Sequence, residues 1–299
     1  MRGLVVRSQS GFYTVETDQG TLICRLRGRL KKGRRLGDVV ALGDWVEVTR
    51  LDKKSGVIEA IEPRQRMFAR LAPNPKGDYL QILIANPDQV MLVFACEEPP
   101  PRLGMLDRFL VIAEKQNTPA VIVANKVDLV SLEQAQQIFG HYPALGYEVL
   151  YTSVCSGLGL QELKARLVGK VTLLTGPSGV GKSSLLNAIQ PGLGLQVRQV
   201  SQATRKGRHT TVAREMFPLQ GGGYVADTPG LKALALWDVA PEELDGYFPE
   251  LRRLVAQCPF SDCTHTHEPG CRVLQAVQAG EVHLERYRSY LRMRFGEMD

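Results

Sequence analysis

The feature that most constrains this chain is residues 176–183, which read Gly-Pro-Ser-Gly-Val-Gly-Lys-Ser. They fit the phosphate-loop pattern of Gly, four residues, Gly-Lys, then Ser or Thr. An apolar run typical of a buried strand, 171–175, precedes them, and a segment with helically spaced leucines, 184–189, follows. The alternative is an ordinary glycine-rich turn, but the Lys-Ser ending and both flanks favour a phosphate-binding loop.

Each part of this loop has a chemical reason to be there. Glycines let successive backbone N–H groups point at phosphate oxygens, and the helix N-terminus adds partial positive charge. We expect Lys182 to reach the β- and γ-phosphates and the Ser183 hydroxyl to bind Mg²⁺. The predicted phosphate-binding residues are Gly176, Pro177, Ser178, Gly179, Val180, Gly181, Lys182, Ser183 and Ser184.

A second motif, Asn125-Lys126-Val127-Asp128, predicts which base is bound. It follows another strand-like run, 120–124. The Asp128 carboxylate can accept from both N1–H and the N2 amine of guanine, whereas adenine would leave it unpaired, which is costly when buried. We expect the Lys126 stem to lie over the base and Asn125 to tie the loop to its neighbours. Alone the motif also suits a solvated loop; beside a phosphate loop it predicts GTP and disfavours an ATP-using enzyme.

The third motif is Asp227-Thr228-Pro229-Gly230, after the strand-like run 223–226. An Asp at the end of a strand beside a phosphate loop can hold the Mg²⁺ water shell. The Gly230 N–H is placed to sense the γ-phosphate. We therefore count Lys182, Asp227 and Gly230 among the candidate catalytic residues.

These motifs resemble those of translation-factor-like GTPases, but their order differs. There the phosphate loop comes first and the base motif last, whereas here the base motif at 125 precedes the phosphate loop at 176 and the Asp motif at 227. This circular permutation is similar to the RsgA family of small-ribosomal-subunit-dependent GTPases. The resemblance implies a permuted α/β GTPase domain between an N-terminal oligonucleotide-binding (OB) barrel and a C-terminal helical zinc domain. It also places Ser153 in the last guanine loop, whose backbone N–H meets the base O6.

The N-terminal quarter carries the whole basic excess of the chain. Residues 1–70 hold 15 Lys+Arg against 8 Asp+Glu, and the remainder holds 22 against 23. Short strands with glycine turns over residues 1 to about 65 predict a small Greek-key barrel, best matched by an OB barrel. Seven of the eleven residues 25–35 are basic, which favours RNA contact over a merely solvated loop. The predicted RNA-binding residues are Arg27, Arg29, Lys31, Lys32, Arg34 and Arg35.

Prolines at positions 63, 73 and 75 predict that residues 64–77 are a linker. After this segment, strand and helix patterns alternate. Strands are expected at 80–85, 89–94, 120–124 and 148–151, and helices at 106–115 and 132–140. Alternation of this kind implies a parallel sheet with ligand loops at the carboxyl ends of its strands.

Residues 201–211 occupy the position of the first switch, between the phosphate loop and Asp227. Thr210 or Thr211 should contact Mg²⁺ and the γ-phosphate, and we favour Thr211. Many GTPases place a water-orienting Gln directly after the Asp motif. Leu231 stands there and cannot hydrogen-bond water. His209 is the nearest candidate to position it, and a ribosomal group acting in trans is the alternative.

Three cysteines and two histidines lie within residues 258–271. Their density predicts a closed, structural zinc site of Cys₃His type rather than free thiols. The predicted ligands, whose spacing matches the RsgA pattern, are Cys258, Cys263, His265 and Cys271, with His267 a possible substitute. The tail predicts two helices, of which the second carries a basic face of Arg286, Arg288, Arg292 and Arg294.

The resulting prediction is a GTP hydrolase stimulated by the small ribosomal subunit in late subunit maturation. Its domains would span 1–66 (OB barrel), 67–240 (permuted GTPase) and 241–299 (zinc-binding helices). The alternative is a GTP-gated RNA-binding module in which hydrolysis is incidental. No apolar run reaches membrane-spanning length and no signal peptide is evident, so we expect a cytoplasmic protein without a membrane partner. We also expect a monomer that binds GTP or GDP with Mg²⁺, the rRNA of the small subunit, and one zinc ion.

Overall fold

A computed structural model describes residues 1–31, 37–72, 79–195, 214–227 and 239–296, with residues 31 and 72 described through their backbone alone. Within these ranges the chain forms 13 β-strands and seven α-helices. None of the helices in this part of the chain is long and apolar enough to cross a bilayer.

Five strands near the N-terminus close into a barrel because β1 pairs with both β2 and β4. Alternate side chains point inward and form its core, including the fully buried Val5, Val15, Leu22, Val46 and Ile58. The strands are β1 (Arg2–Gln9), β2 (Phe12–Thr17), β3 (Gly20–Leu26), β4 (Trp45–Arg50) and β5 (Ser55–Ile61).

The predicted linker at 64–77 is wrong for residues 67–72. They form strand β6 (Met67–Ala72), which pairs antiparallel with β7 (Tyr79–Ala85). Phe68 is fully buried and its ring stacks on Phe109, with the centroids 6.4 Å apart. Burial of that ring outweighs the local proline signal, because about 25 cal/mol is gained for each Å² of apolar surface removed from water.

The central region is a parallel sheet, as the alternating pattern predicted, and helices cover both of its faces. Helices α1 and α2 pack on one face with Phe109 and Phe139, and α3 and α4 on the other with Leu163 and Leu185. The strands run in the order β10-β9-β8-β11-β13. Their bounds are β8 (Gln89–Ala95), β9 (Ala120–Asn125), β10 (Glu148–Thr152), β11 (Val171–Thr175) and β13 (Tyr224–Asp227), and the helices are α1 (Leu103–Lys115), α2 (Leu132–Phe139), α3 (Leu160–Leu167) and α4 (Lys182–Ile189).

Strand β12 (Arg214–Pro218) joins the barrel to the parallel sheet. It pairs antiparallel with β13 on one side and with β1 on the other, where Arg7 lies opposite Glu215. The barrel and the central sheet therefore form one hydrogen-bonded sheet of eleven strands. Backbone hydrogen bonds of β12 therefore connect the barrel to the central sheet.

The C-terminal helices pack on α1 through a third apolar cluster, to which α1 contributes Val111. The predicted basic face is wrong for Arg286, which is 1% exposed. Its guanidinium is bonded to Asp107 of α1 and to Glu250, while Arg288 is exposed as expected. The helices are α5 (Pro249–Val255), α6 (Arg272–Gln278) and α7 (Leu284–Arg294).

Candidate nucleotide and metal sites

The parallel register brings the base motif, the phosphate loop and Asp227, the first residue of the Asp motif, to one edge of the sheet. Asn125 at the end of β9 lies beside Thr152 at the end of β10, and Asp227 at the end of β13 lies beside Leu174 of β11. Ligands of open α/β sheets bind outside the carboxyl ends of the strands. Segments that are far apart in the chain thus form one site.

The phosphate loop needs its glycines for their backbone conformation and for close packing. Gly176 has φ +146° and Gly181 has φ +94°. A Cβ on Gly176 would lie 2.1 Å from the Val93 carbonyl oxygen, and one on Gly181 would lie 2.5 Å from Asn125 Nδ2. The loop is therefore held closely against β8 and the base motif.

Lys182 lies buried inside the loop. Its ammonium donates to the carbonyl oxygens of Gly176, at 2.9 Å, and Pro177, at 2.7 Å. Burial lowers the pKa of Lys182 to about 8, although the nearby Asp227 acts in the opposite direction. Phosphate oxygens entering the loop would supply the negative charge that this buried cation lacks.

Ser183 and Asp227 form the side of the site suited to a hard cation. The Ser183 hydroxyl donates to Asp227 Oδ2 at 3.1 Å. Burial raises the pKa of Asp227, and its other oxygen, Oδ1, is buried without a hydrogen-bond partner among the described residues. A hydroxyl and an orphaned carboxylate oxygen are the donors that Mg²⁺ prefers, so these residues fit the predicted ion.

Asn125 connects the base motif to the phosphate loop, as its predicted role requires. Its Nδ2 donates to the Val180 carbonyl at 2.8 Å, and its Oδ1 accepts from the Thr152 hydroxyl at 3.0 Å. Thr152 was not among the predicted site residues. The buried Thr152 hydroxyl fixes which way the Asn125 amide points, and only the strand register could have indicated it.

The Ser153 hydroxyl contacts Asp128 of the base motif. The hydroxyl donates to the Asp128 carboxylate and accepts from the Ser156 N–H at 3.1 Å. The Ser153 N–H donates to the Leu158 carbonyl at 3.0 Å, so it is already used within the loop. The Lys126 ammonium meanwhile donates to the Glu98 carbonyl.

Several predicted residues lie outside the described ranges, and their roles stay predictions. In the nucleotide site they are His209, Thr210, Thr211, Gly230 and Leu231. In the basic segment they are Lys32, Arg34 and Arg35, together with the side chain of Lys31. Of the remaining predicted RNA ligands, Arg27 donates to the Glu59 carboxylate at 2.6 Å and Arg29 to the Glu59 carbonyl at 3.0 Å. Both arginines are more than half exposed.

The four predicted zinc ligands come together in the structure. The ligand atoms of Cys258, Cys263, His265 and Cys271 all lie within 4.8 Å of one another. His265 Nδ1 is 3.7 Å from Cys258 Sγ and 3.4 Å from Cys271 Sγ, and those two sulfurs are 3.9 Å apart. Tetrahedral zinc with Zn–S of about 2.3 Å and Zn–N of about 2.0 Å requires ligand separations of roughly 3.5–3.8 Å. The cluster fits a closed zinc site.

Contacts outside the ligand set orient His265. Its Nε2 lies 3.1 Å from Asp245 Oδ2, and the Tyr287 hydroxyl donates to its backbone carbonyl at 2.7 Å. A carboxylate on the distal nitrogen fixes the tautomer that leaves Nδ1 free for metal. Asp245 was missed because nothing in its sequence context marks it. His267 is exposed and lies within hydrogen-bond distance of Thr266, outside the cluster.

Comparison with known proteins decides the family. The family model described as RsgA GTPase matches residues 61–237, and the model described as RsgA N-terminal domain matches residues 2–58. The chain belongs to the RsgA family. A relative from Gemmatimonas aurantiaca, named small ribosomal subunit biogenesis GTPase RsgA, is 45% identical over 98% of this chain and 96% of its own length. A relative of the same name from Moorella thermoacetica is 44% identical over 97% of this chain and 95% of its own length.

Two solved structures agree with this assignment. YjeQ from Thermotoga maritima is 38% identical and covers 99% of this chain and 97% of its own, with a TM-score of 0.77. YloQ, described as a circularly permuted GTPase, is 32% identical over 99% of this chain and 94% of its own, with a TM-score of 0.72. The RsgA resemblance, the permuted fold class and the GTPase activity predicted from the sequence are thereby confirmed.

Proposed function

We propose that this RsgA-family GTPase hydrolyses GTP in response to the small ribosomal subunit and serves a late step of that subunit's maturation. The observation that carries the proposal is the single sheet joining two dissimilar parts. A nucleotide site lies at one end of that sheet and a basic barrel at the other. Because β12 pairs with both the barrel and the central sheet, subunit contact at the barrel would have a direct route to the nucleotide site.

The nucleotide would be held by residues that the sheet brings together. Asp128 would accept from the guanine edge while the Ser153 hydroxyl fixes its orientation. Lys182 would exchange its two carbonyl partners for the β- and γ-phosphates. Ser183, Asp227 and Thr211 would hold Mg²⁺, which neutralises charge on the phosphates when bound. His209, or a ribosomal group in trans, would position the attacking water.

The flanking domains would supply the partner contacts. Under this proposal residues 1–66 bind rRNA through Arg27, Arg29 and the rest of the basic segment. Residues 67–240 bind GTP or GDP, and residues 241–299 are held by one structural zinc ion. We further propose a monomer that works in the cytoplasm without a membrane. The identity of the relatives along nearly their whole length supports this division of labour.

The test is phosphate release by the purified chain with GTP or ATP, and with small subunits, large subunits or neither. We expect slow intrinsic GTP hydrolysis, strong stimulation by small subunits alone, and no use of ATP. Equal rates with and without small subunits would instead favour a GTP-gated RNA-binding module with incidental hydrolysis.

A second experiment tests the catalytic role of His209. The variant His209→Ala should lose stimulation by small subunits while its GTP affinity and subunit binding remain. Full stimulation of this variant would favour a ribosomal group that acts in trans.

A further inference from the structure

One outward face of the barrel carries an exposed aromatic ring among arginines. Residues directly opposite one another on β1, β2 and β3 form two rows across these strands. One row is Gln9, Phe12 and Arg25, and the other is Arg7, Thr14 and Ile23. Directly paired residues project from the same side of a sheet, so these six share one surface, here called the β2–β3 face. Its opposite side is the barrel core.

The apolar members of the β2–β3 face are open to solvent. Phe12 is 42% exposed and Ile23 is 54% exposed, on neighbouring strands. The Arg25 guanidinium lies over the Phe12 ring, 4.5 Å from its centroid. A plain reading is a cross-strand cation–π pair that stabilises the barrel surface. That reading does not explain the Ile23 side chain, which is left uncovered beside it.

The charges around this face favour a polyanion. Arg25 lies on it, and β3 leads directly into the exposed Arg27 and Arg29. The nearby acids are already paired: the Glu16 carboxylate accepts from the Tyr224 hydroxyl, and Glu215 lies 3.9 Å from Arg7 of this face. Glu59 pairs with Arg27 and Arg29, both of which remain more than half exposed, and Arg25 adds its charge beside Phe12. An acidic peptide would satisfy the arginines but would leave Phe12 without a flat partner, whereas an unpaired base offers a planar ring beside a phosphate.

We propose that Phe12 is a stacking platform for an unpaired base of a single-stranded RNA segment. The phosphates flanking that base would lie along Arg25, Arg27 and Arg29. Aromatic stacking accepts any base, because every base has a π-face, so this contact adds affinity without reading sequence. The inference rests on the proposed RNA binding and adds to it a contact that is apolar rather than ionic.

The test uses the full-length, zinc-loaded chain and fluorescently labelled single-stranded RNA of about ten nucleotides, within the usual site size of such barrels. Phe12→Ala should weaken binding by at least about fivefold, the lower end of what one stacked base contributes. The dependence of affinity on salt should stay unchanged, because no phosphate contact is lost. Leu51→Ala is the matched control, since Leu51 is 66% exposed on the barrel but outside the β2–β3 face.

A second variant gives a positive signal that loss of folding cannot imitate. Phe12→Trp should bind as tightly as the unaltered chain, and its added tryptophan fluorescence should be quenched by the RNA. Equal affinity of Phe12→Ala and the unaltered chain would overturn the stacking inference alone. Failure of the unaltered chain to bind RNA would overturn the proposed RNA binding as well. If Phe12→Ala lost small-subunit binding but kept RNA binding, the face would be a protein-docking surface instead.

Discussion

Arg214 donates to Asp38 across the junction between the barrel and the central sheet, with Nη1 and Oδ2 3.1 Å apart. Asp38 follows the basic segment of the barrel, and Arg214 begins β12. The same carboxylate accepts from the Tyr79 hydroxyl at 2.8 Å and from the Ile82 N–H at 3.1 Å. One half-buried side chain therefore ties together the basic segment, the β6–β7 hairpin and the strand that follows the predicted first switch.

This geometry predicts that Asp38→Asn weakens the coupling between subunit binding and hydrolysis. The substitution keeps the size but removes the charge on which the Arg214 bond depends, at a cost of about 1.5–3 kcal/mol. Subunit-stimulated hydrolysis should fall by about tenfold or more, while GTP affinity and intrinsic hydrolysis persist. The matched control is Glu62→Gln, whose partner Arg2 lies within the same barrel. Full stimulation of Asp38→Asn would show that coupling takes another route.

Base choice is predicted to follow Asp128. In Asp128→Asn one acceptor becomes an amide donor, which suits the xanthine carbonyl at the position of the guanine amine. Loss of the charged hydrogen bonds, each about 1.5–3 kcal/mol, should weaken GTP binding by at least about tenfold, and xanthosine triphosphate should become the preferred nucleotide. Nucleotide competition would measure this, with the exposed Glu133→Gln as control. A variant that still prefers GTP would refute the assignment.

The nucleotide motifs were readable from the sequence because phosphate and guanine recognition demand particular residues in a fixed local order. Their strands were readable too, since buried parallel strands are continuous apolar runs. Strand β6 was not, because prolines near both of its ends indicate a linker. Its pairing with β7 and the packing of Phe68 against Phe109, 41 positions away, make that segment a strand.

Long-range electrostatics explain the other errors. Arg286 follows the spacing of a solvated basic face, yet its carboxylate partners lie 36 and 179 residues away. Asp245 is 20 residues before the histidine it orients. The sequence carries no periodic pattern that would reveal either interaction, because a contact between distant elements depends on how those elements pack.

Asp245 is predicted to tune zinc affinity without binding the metal. Asp245→Asn should weaken zinc binding by about 10–100-fold, the usual cost of losing the partner that orients a ligand histidine. Chelator competition on the purified chain would measure this, with the exposed Asp262→Asn in the same loop as control.

Cys258→Ala or Cys271→Ala should lower bound zinc and expose the C-terminal region to protease while nucleotide binding persists. Purified protein without stoichiometric zinc would contradict the site.

The buried environment of His141 predicts an acid-sensitive contact between the central domain and the C-terminal helices. Its ring stacks on His283, with centroids 4.1 Å apart. Burial, followed by the proximity of His283 and Arg286, lowers the pKa of His141 to about 4 from its usual 6.5. The unfolded state therefore binds this proton more readily. The stability contributed by neutral His141 is complete above pH 6.5 and is lost as the pH falls from 6.5 towards 4.

The measurement is the melting temperature of the chain and of His141→Phe between pH 7 and about pH 4.5. The phenylalanine keeps an aromatic ring against His283 but cannot take up a proton. Protonation of the zinc ligands destabilises both proteins alike, so the difference between the two curves isolates His141. We expect the unaltered chain to lose more stability on acidification. Parallel curves would show that His141 does not sense pH.

Arg286 is predicted to hold the C-terminal helices on α1. Its Nη1 lies 2.7 Å from Asp107 Oδ1 and its Nε lies 2.7 Å from Glu250 Oε1, and all three side chains are at most 2% exposed. The Tyr142 hydroxyl also donates to Asp107 at 2.8 Å. Arg286→Met would fill similar space but leave two buried carboxylates without a cation, which costs about 3–5 kcal/mol for a buried pair.

The expected result is earlier proteolysis of the C-terminal region in Arg286→Met, with zinc still bound because the ligands of the zinc cluster are untouched. Arg288→Met is the matched control, since Arg288 is exposed and pairs with its helix neighbour Glu285. Adding Asp107→Asn and Glu250→Gln to Arg286→Met should restore much of the protease resistance, because it removes the stranded charges. Equal proteolysis of the Arg286 and Arg288 variants would show that apolar packing alone holds the helices on α1.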